Sequence, residues 1–339
     1  MPKITVLMAA YNAESFLREA IDSVLAQTVA DFEFLIFEDC STDTTRQILK
    51  SYQDPRIKLH LNDTNQGLTK NLIRGMDLAQ GEYVARMDAD DVCMANRFEQ
   101  QLKYFETHSE VSVLGSAVTF FDGKGDEFVG YQPTEHDEIK VTLLLGFTML
   151  HPSVMMRKAD MDQYGLNYDP EFVVSQDHDL WTRSIGKLRF ANVAEPLLKM
   201  REHGGKITHT RKPKQQELSS IIRRRQLDEL EVQYSQEELS AFNLGGSDIS
   251  TITMEQIHAL ESVYLKIIKG NRLNARYEQR ILQRRVAAQF RGICRQLLIE
   301  GSRVGRLFWR SGLRKYDSLT IIEYVKMVYR TLLFKQKSK

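Results

Sequence analysis

Cysteine is scarce in this chain of 339 residues: Cys40, Cys93 and Cys294 stand far apart, without CxxC or Cys/His spacing. That excludes a disulfide framework and a cysteine zinc site, and it suits a reducing compartment. Long apolar runs are missing as well. No stretch reaches the roughly 18 uninterrupted apolar residues that a membrane-spanning helix needs. The first residues, Met1-Pro2-Lys3-Ile4-Thr5-Val6-Leu7, enter a strand pattern at once and lack the charged start, apolar stretch and small-residue cleavage site of a secretory signal. A cytoplasmic location is the expectation. There is no Pro-rich linker, internal repeat or low-complexity tract. After the first strand stands Ala10-Tyr11-Asn12-Ala13-Glu14 rather than GxGxxG, which argues against a nicotinamide dehydrogenase.

Net charge is also nearly absent, at +1, but the balance conceals a division. Residues 1–211 carry 22 Lys and Arg against 32 Asp and Glu, and residues 212–339 carry 24 against 13, so the two parts stand at −10 and +11. The acidic part suits a site built around a cation. The basic part suits an anionic surface.

The acidic part alternates in period. Ile4–Ala10 is a short, apolar, β-branched run, as in a buried parallel strand, and Phe16, Leu17, Ala20, Ile21, Val24 and Leu25 follow at helical spacing. The pattern predicts further strands at 32–37, 56–61 and 82–87 and helices at 44–52 and 68–79. Such alternation implies an α/β fold: a mostly parallel sheet with helices on both faces, binding ligands beyond the carboxyl ends of its strands. After Asp91 a helix is expected over 96–105, then strands over 111–121 and 128–131 around the turn Asp122-Gly123-Lys124-Gly125-Asp126. From about Lys212 the pattern is helical and Arg-rich. The expected organisation is a catalytic domain at 1–211, comprising halves 1–91 and 92–211, and a basic helical region at 212–339.

Polar residues gather at the predicted strand ends. Tyr11 with Glu14, and Asp39 within Glu38-Asp39-Cys40-Ser41-Thr42-Asp43, suit a planar base and ribose hydroxyls, while Thr42 and Asp43 equally suit a helix cap. Met87-Asp88-Ala89-Asp90-Asp91 concentrates three carboxylates at one strand end, where they repel unless a cation offsets them. A divalent ion, Mn²⁺ or Mg²⁺, supplies that offset; the alternative is that Asp90 or Asp91 caps the next helix. Lys70 and Arg86 suit phosphate or serve as ordinary surface and sheet charges. His203, in Arg201-Glu202-His203-Gly204-Gly205, is a further metal-ligand candidate or a loop histidine.

These segments occur in an order that resembles the family 2 glycosyltransferases with the A-type nucleotide-sugar fold and its Rossmann-like nucleotide-binding half. The likeness adds Asn65-Gln66-Gly67-Leu68, His151-Pro152-Ser153-Val154-Met155-Met156-Arg157, Gln176-Asp177-His178-Asp179-Leu180-Trp181 and Arg201-Glu202-His203, and spans about residues 3–208. It implies that residues 1–91 bind the nucleotide, Ala10, Tyr11, Glu14 and Asp39 holding a nucleoside, with uridine expected. It implies that residues 92–211 receive the acceptor. Asp88 would meet ribose or the donor sugar, and Asp90 the metal that bridges the diphosphate. Asp177 would be the catalytic base, with Asp179 the competitor, and Gln176 replaces the family's Glu. The implied reaction is inverting transfer of a hexose or N-acetylhexosamine from a nucleoside-diphosphate sugar to a hydroxyl of a glycan or lipid-linked acceptor, in cell-surface polysaccharide synthesis. The alternative is a catalytically silent nucleotide-sugar-binding partner in an assembly complex.

The basic region sets Arg223-Arg224-Arg225 and Arg272, Arg276, Arg280, Arg284, Arg291 and Arg295 at helical spacing, and Ile321, Val325, Val328 and Leu332 form a late apolar series. Amphipathic basic helices suit the inner face of an anionic membrane as a peripheral anchor, or a helical cap with a solvated face. Nucleic acid is not expected as a partner, since no recognition motif accompanies the charge.

Overall fold

Ile4–Ala10 (β1) is buried along its length except for Ala9, and Phe32–Glu38 (β2) is buried throughout. Only a strand covered on both faces has this pattern without alternation. The computed structural model describes residues 1–125, 127–146, 148–204, 212–245, 252–299 and 307–318, with residues 320, 322, 325, 326 and 329. The chain forms two compact units, Met1–Ile139 with Thr148–Leu218, and Lys140–Phe147 with Ser219–Lys339.

In the first unit β1 lies between β2 and Tyr83–Asp88 (β4), both parallel to it, and Ile57–Leu61 (β3) pairs outside β2. Helix Leu17–Leu25 (α1) presents Leu17, Ala20, Ile21 and Val24 to the β1 face carrying Ile4, Val6, Met8 and Ala10. Thr45–Lys50 (α2) adds Ile48 and Leu49 to the same core. Helix Leu68–Leu78 (α3) covers the opposite face, where Gly75 sits so close that an added Cβ would stand 2.1 Å from the Leu7 Cδ1. Helices thus cover both faces, as expected. The register matters for the site: Ala10 pairs with Glu38 and Ala9 with Asp88, so three strand ends meet at one edge.

The rest of the sheet is mixed. Val111–Phe121 (β6) runs parallel to Arg189–Arg201 (β9) and antiparallel to Glu127–Gly130 (β7). Met155–Arg157 (β8) is antiparallel to both β4 and β6, and Val92–Cys93 (β5) is antiparallel to β9. The path is β3-β2-β1-β4-β8-β6-β9-β5, with β7 beyond β6. Helices Arg97–Thr107 (α4), His136–Leu145 (α5), Lys158–Gln163 (α6) and Gln176–Ser184 (α7) complete the order. Elements read from periodicity lie within about two residues of those observed, ordinary fraying at element ends. Periodicity passed over β5, β8, β9, α5, α6 and α7.

The second unit is helical: Lys212–Glu229 (α8) from Ser219 onward, Gln236–Leu244 (α9), Met254–Asn274 (α10), Gln279–Ile299 (α11) and Leu307–Arg310 (α12). Capping boxes start two of them, Ser235 with Glu238 and Thr253 with Gln256. Its core joins Leu227, Leu260, Tyr264, Ile267, Val286 and Phe290 to Val141, Leu144 and Leu145 from the end of α5. No described helix is long and apolar enough to cross a membrane. Of the late apolar series, Val325 is described; Ile321, Val328 and Leu332 lie outside the described residues, as does Gly205.

Candidate active site

The strand edge begins with two interlocked loops. Asn12 and Cys40 both take left-handed backbone, at φ 49° and 59°, as the chain turns sharply off β1 and β2. The Asn12 amide donates to Ser41 Oγ at 3.1 Å, and its side-chain oxygen accepts from the Thr42 amide at 2.9 Å. Glu14 accepts from the Thr44 amide at 2.9 Å and Thr44 Oγ1 at 2.6 Å, so it braces the start of α2. Asp43 accepts from the Glu14 amide at 3.1 Å and the Thr45 amide at 2.9 Å, which makes it the loop-capping residue. Ala10 is buried beneath this edge and Tyr11 is half exposed above it.

Asp39 is buried at the end of β2, and burial alone would raise its carboxyl. Donors reverse that: the Gln66 and Gly67 amides, each at 2.8 Å, and Asn62 Nδ2 at 2.9 Å hold it below the usual carboxylate range. Asp39 therefore fixes the loop that leads into α3, the helix on which Lys70 stands. A pocket of about 480 Å³ opens beside it, lined by Asn62, Thr64, Gln66, Lys70, Asn71 and Arg74. Its polar walls and two cations suit a planar ligand with carbonyl or phosphate oxygens.

The third strand end is the acidic one. Carboxylate oxygens of Asp88, Asp90 and Asp91 lie within 4.8 Å of one another. Three hard oxygen donors at this separation fit a divalent cation such as Mg²⁺ or Mn²⁺. His203 Nε2 meets Asp90 Oδ2 at 2.8 Å, with its ring against Phe16 at 5.0 Å between centroids, so the candidate imidazole is at the same place. Asp91 escaped assignment in the sequence although it stood in the quoted cluster; it is buried and accepts from the Arg201 amide at 2.9 Å. The pairing of β6 with β9 brings Arg201 here. Its guanidinium lies between the Phe16 and Phe121 rings, pairs with Glu19 and donates to the Asp90 carbonyl at 3.0 Å. That ties the acidic loop to β9.

Beneath the cluster, Arg86 is fully buried and ion-paired with Asp88. Burial opposes its charge, but Asp88, Tyr168 and Asp91 keep the guanidinium above its ordinary value. Asp177 opens α7 beyond Ser175, whose left-handed backbone at φ 57° turns the chain into the helix. Burial raises the Asp177 carboxyl to about 6; the His178 amide and Arg86 oppose the rise, and the Asp88 charge reinforces it. Asp179 is differently placed: it is wholly buried and pairs with Arg183 at 2.7 Å. His151 meets Tyr168 Oη at 2.7 Å, and burial, with the Arg86 charge, keeps its ring neutral. Nothing in the local sequence singled out Tyr168, which arrives from a loop distant in the chain.

Parallel strand ends, an acidic cluster and a separate carboxyl group raised by burial form one candidate active site. Residues 5–165 match the family described as Glycosyl transferase family 2. The uncharacterized glycosyltransferase MJ1057 of Methanocaldococcus jannaschii is 34% identical over 207 residues, covering 59% of this chain and 71% of that protein. The amylovoran biosynthesis glycosyltransferase AmsE of Erwinia amylovora is 31% identical over 204 residues, covering 58% and 75%. In fold, the chain is similar to S. aureus TarS 1-349 in complex with UDP-GlcNAc, with a TM-score of 0.58 at 17% identity, covering 99% of this chain and 92% of that one. The chain belongs to glycosyltransferase family 2.

Proposed function

We propose that this glycosyltransferase moves a hexose or N-acetylhexosamine from a UDP-sugar to a hydroxyl of a glycan or lipid-linked acceptor, with inversion, in cell-surface polysaccharide synthesis. One observation carries the reading: Asp177 stands within electrostatic reach of Arg86 and Asp88, beside the acidic cluster, while Asp179 is committed to Arg183. The named relative in amylovoran biosynthesis and the UDP-GlcNAc complex of TarS support the pathway and donor class.

In this reading residues 1–91 hold the nucleotide and residues 92–211 the acceptor. Tyr11 stacks on the base, the Lys70 pocket receives its polar edge, and Asp39 keeps that wall rigid. Asp88, Asp90, Asp91 and His203 would hold Mn²⁺ or Mg²⁺, which when bound offsets charge on the departing nucleoside diphosphate. Asp177 takes the acceptor proton as the hydroxyl attacks the anomeric carbon. Arg86 steadies Asp88 and Asp177 in their ionised forms. Attack opposite the leaving group inverts the anomeric centre.

The assay is UDP release with Mn²⁺ or Mg²⁺ and a panel of sugar acceptors, with the product anomer read by proton NMR. We expect Asp177→Asn to lower kcat by about 10²–10⁴-fold with donor binding retained, and Asp90→Asn to raise the metal concentration needed. Full turnover of Asp177→Asn, or a retained anomer, would overturn the base assignment. We further place the chain in the cytoplasm, on the support of three free thiols. Fractionation finding it in an oxidising compartment would remove that placement.

A further inference from the structure

The second unit carries a surface that sugar transfer does not use. Helix α12 and the turn after it read Leu307-Phe308-Trp309-Arg310-Ser311-Gly312-Leu313-Arg314-Lys315-Tyr316-Asp317. Phe308 and Leu313 are buried and fasten the segment to the helical core. Trp309 and Arg310, between these anchors, and Lys315, just beyond them, are exposed. The Arg314 guanidinium lies over the Trp309 ring at 4.5 Å, and the Lys315 ammonium over Tyr316 at 5.0 Å. Arg272, at the end of α10, donates to Tyr316 Oη at 3.3 Å, and beside it Leu273 is 81% exposed. The one acid of the segment, Asp317, is engaged by Arg291. From α10, Glu261 accepts from the Gly312 amide at 2.9 Å, so this surface sets four cations, a tryptophan and an exposed leucine beside one further acid.

A second observation extends it. Just beyond, Ile322, Val325 and Tyr329 are helical residues at i, i+3 and i+7, exposed by 67%, 59% and 63%. In sequence, i, i+3 and i+7 is the apolar spacing of one helix face. Among the described residues nothing covers them, and exposed Lys326 sits next to that face. Apolar side chains standing out of a basic surface, with a tryptophan at the border, match the chemistry of a bilayer interface: acyl chains for the apolar face, lipid phosphates for the cations. Residues 212–339 carry a balance of +11, so the complementary charge is negative.

We propose that the carboxyl-terminal unit docks on an anionic phospholipid surface through Trp309, Arg310, Arg314 and Lys315, with the Ile322, Val325 and Tyr329 face entering the headgroup zone. The unit is then a peripheral anchor that keeps the enzyme beside a membrane. This claim is independent of the donor and acceptor assigned above.

The test is co-sedimentation of the full chain with phosphatidylcholine vesicles, with and without phosphatidylglycerol, over a salt series. We expect sedimentation with the anionic vesicles only, weakening as salt rises. Each basic residue at such a surface contributes about fivefold to partitioning, so Arg310→Glu with Lys315→Glu should weaken it by at least about 25-fold. Ile322→Ser with Val325→Ser should weaken it while leaving the salt dependence in place. Both variants should keep the parent melting temperature and the parent rate of UDP release without vesicles, which separates lost docking from lost folding or chemistry. Equal binding to neutral vesicles, or charge-reversed protein that sediments like the parent, would overturn the proposal. So would salt-sensitive capture of duplex oligonucleotides without capture of anionic vesicles.

Discussion

Asp177 shows how far its surroundings can shift a single carboxyl group. Burial lifts it from 3.8 to about 6, so it loses its proton within the range where an acceptor hydroxyl must be activated. We expect kcat to fall below about pH 6 with the slope of one proton, measured with donor and acceptor saturating. The same shift has a stability consequence of opposite sense. The folded state holds this proton more tightly than the unfolded chain does, so the contribution is full below 3.8 and is lost as pH rises through about 6. Asp177→Asn should therefore melt higher than the parent above that range, by on the order of 1 kcal/mol, and show no gain below 3.8. Asp39 behaves in the reverse way, because three donors hold its ionised form and it stabilises the fold at neutral pH.

At the scale of elements, the site depends on strands being carried to a common edge in register. The turn into β4 is the point where backbone packs closest against backbone in that arrangement. The Gly81 amide donates to Thr5 Oγ1 at 2.9 Å, and a Cβ there would stand 2.4 Å from the Thr5 nitrogen. Backbone cannot give way as a side-chain end can. Gly81→Ala should cost about 2–4 kcal/mol, seen as a lower denaturant midpoint at unchanged m-value. Gly186, with nothing within 4 Å of an added Cβ, is the matched control and should move by less than about 1 kcal/mol on the same change. The short strands follow a related logic. β5 has two residues and β8 three, too few to display a period, and their partners lie far along the chain. Pairing with β9 makes β5 a strand, and pairing with β4 and β6 makes β8 one.

For the molecule as a whole, the division of the chain is not a single cut. Lys140–Phe147 belongs with Ser219–Lys339, and Val141, Leu144 and Leu145 are buried in that unit's core. A chain ending at Leu218 leaves these three side chains uncovered, and we expect it to bind a hydrophobic dye or aggregate at concentrations where the full chain stays monodisperse. Soluble, dye-negative behaviour of the truncated chain would contradict this. By itself the sequence determined the elements whose signal is local. Unbroken apolar runs dictated β1, β2 and β4, and helical spacing dictated α1 and α3. The family order of motifs followed, and with it Asp88, Asp90 and Asp177 as residues to watch. Charge counts exposed the basic half. Tertiary structure decided what needs residues from different elements to meet: Asp91 joining Asp88 and Asp90, Arg201 tying that loop to β9, Tyr168 against His151, and Asp179 buried and paired with Arg183 while burial raises Asp177. The physical reason is common to all four. Burial and charge pairing depend on which surfaces close over a group, and spacing along a strand or helix records only which side of its own element each residue occupies.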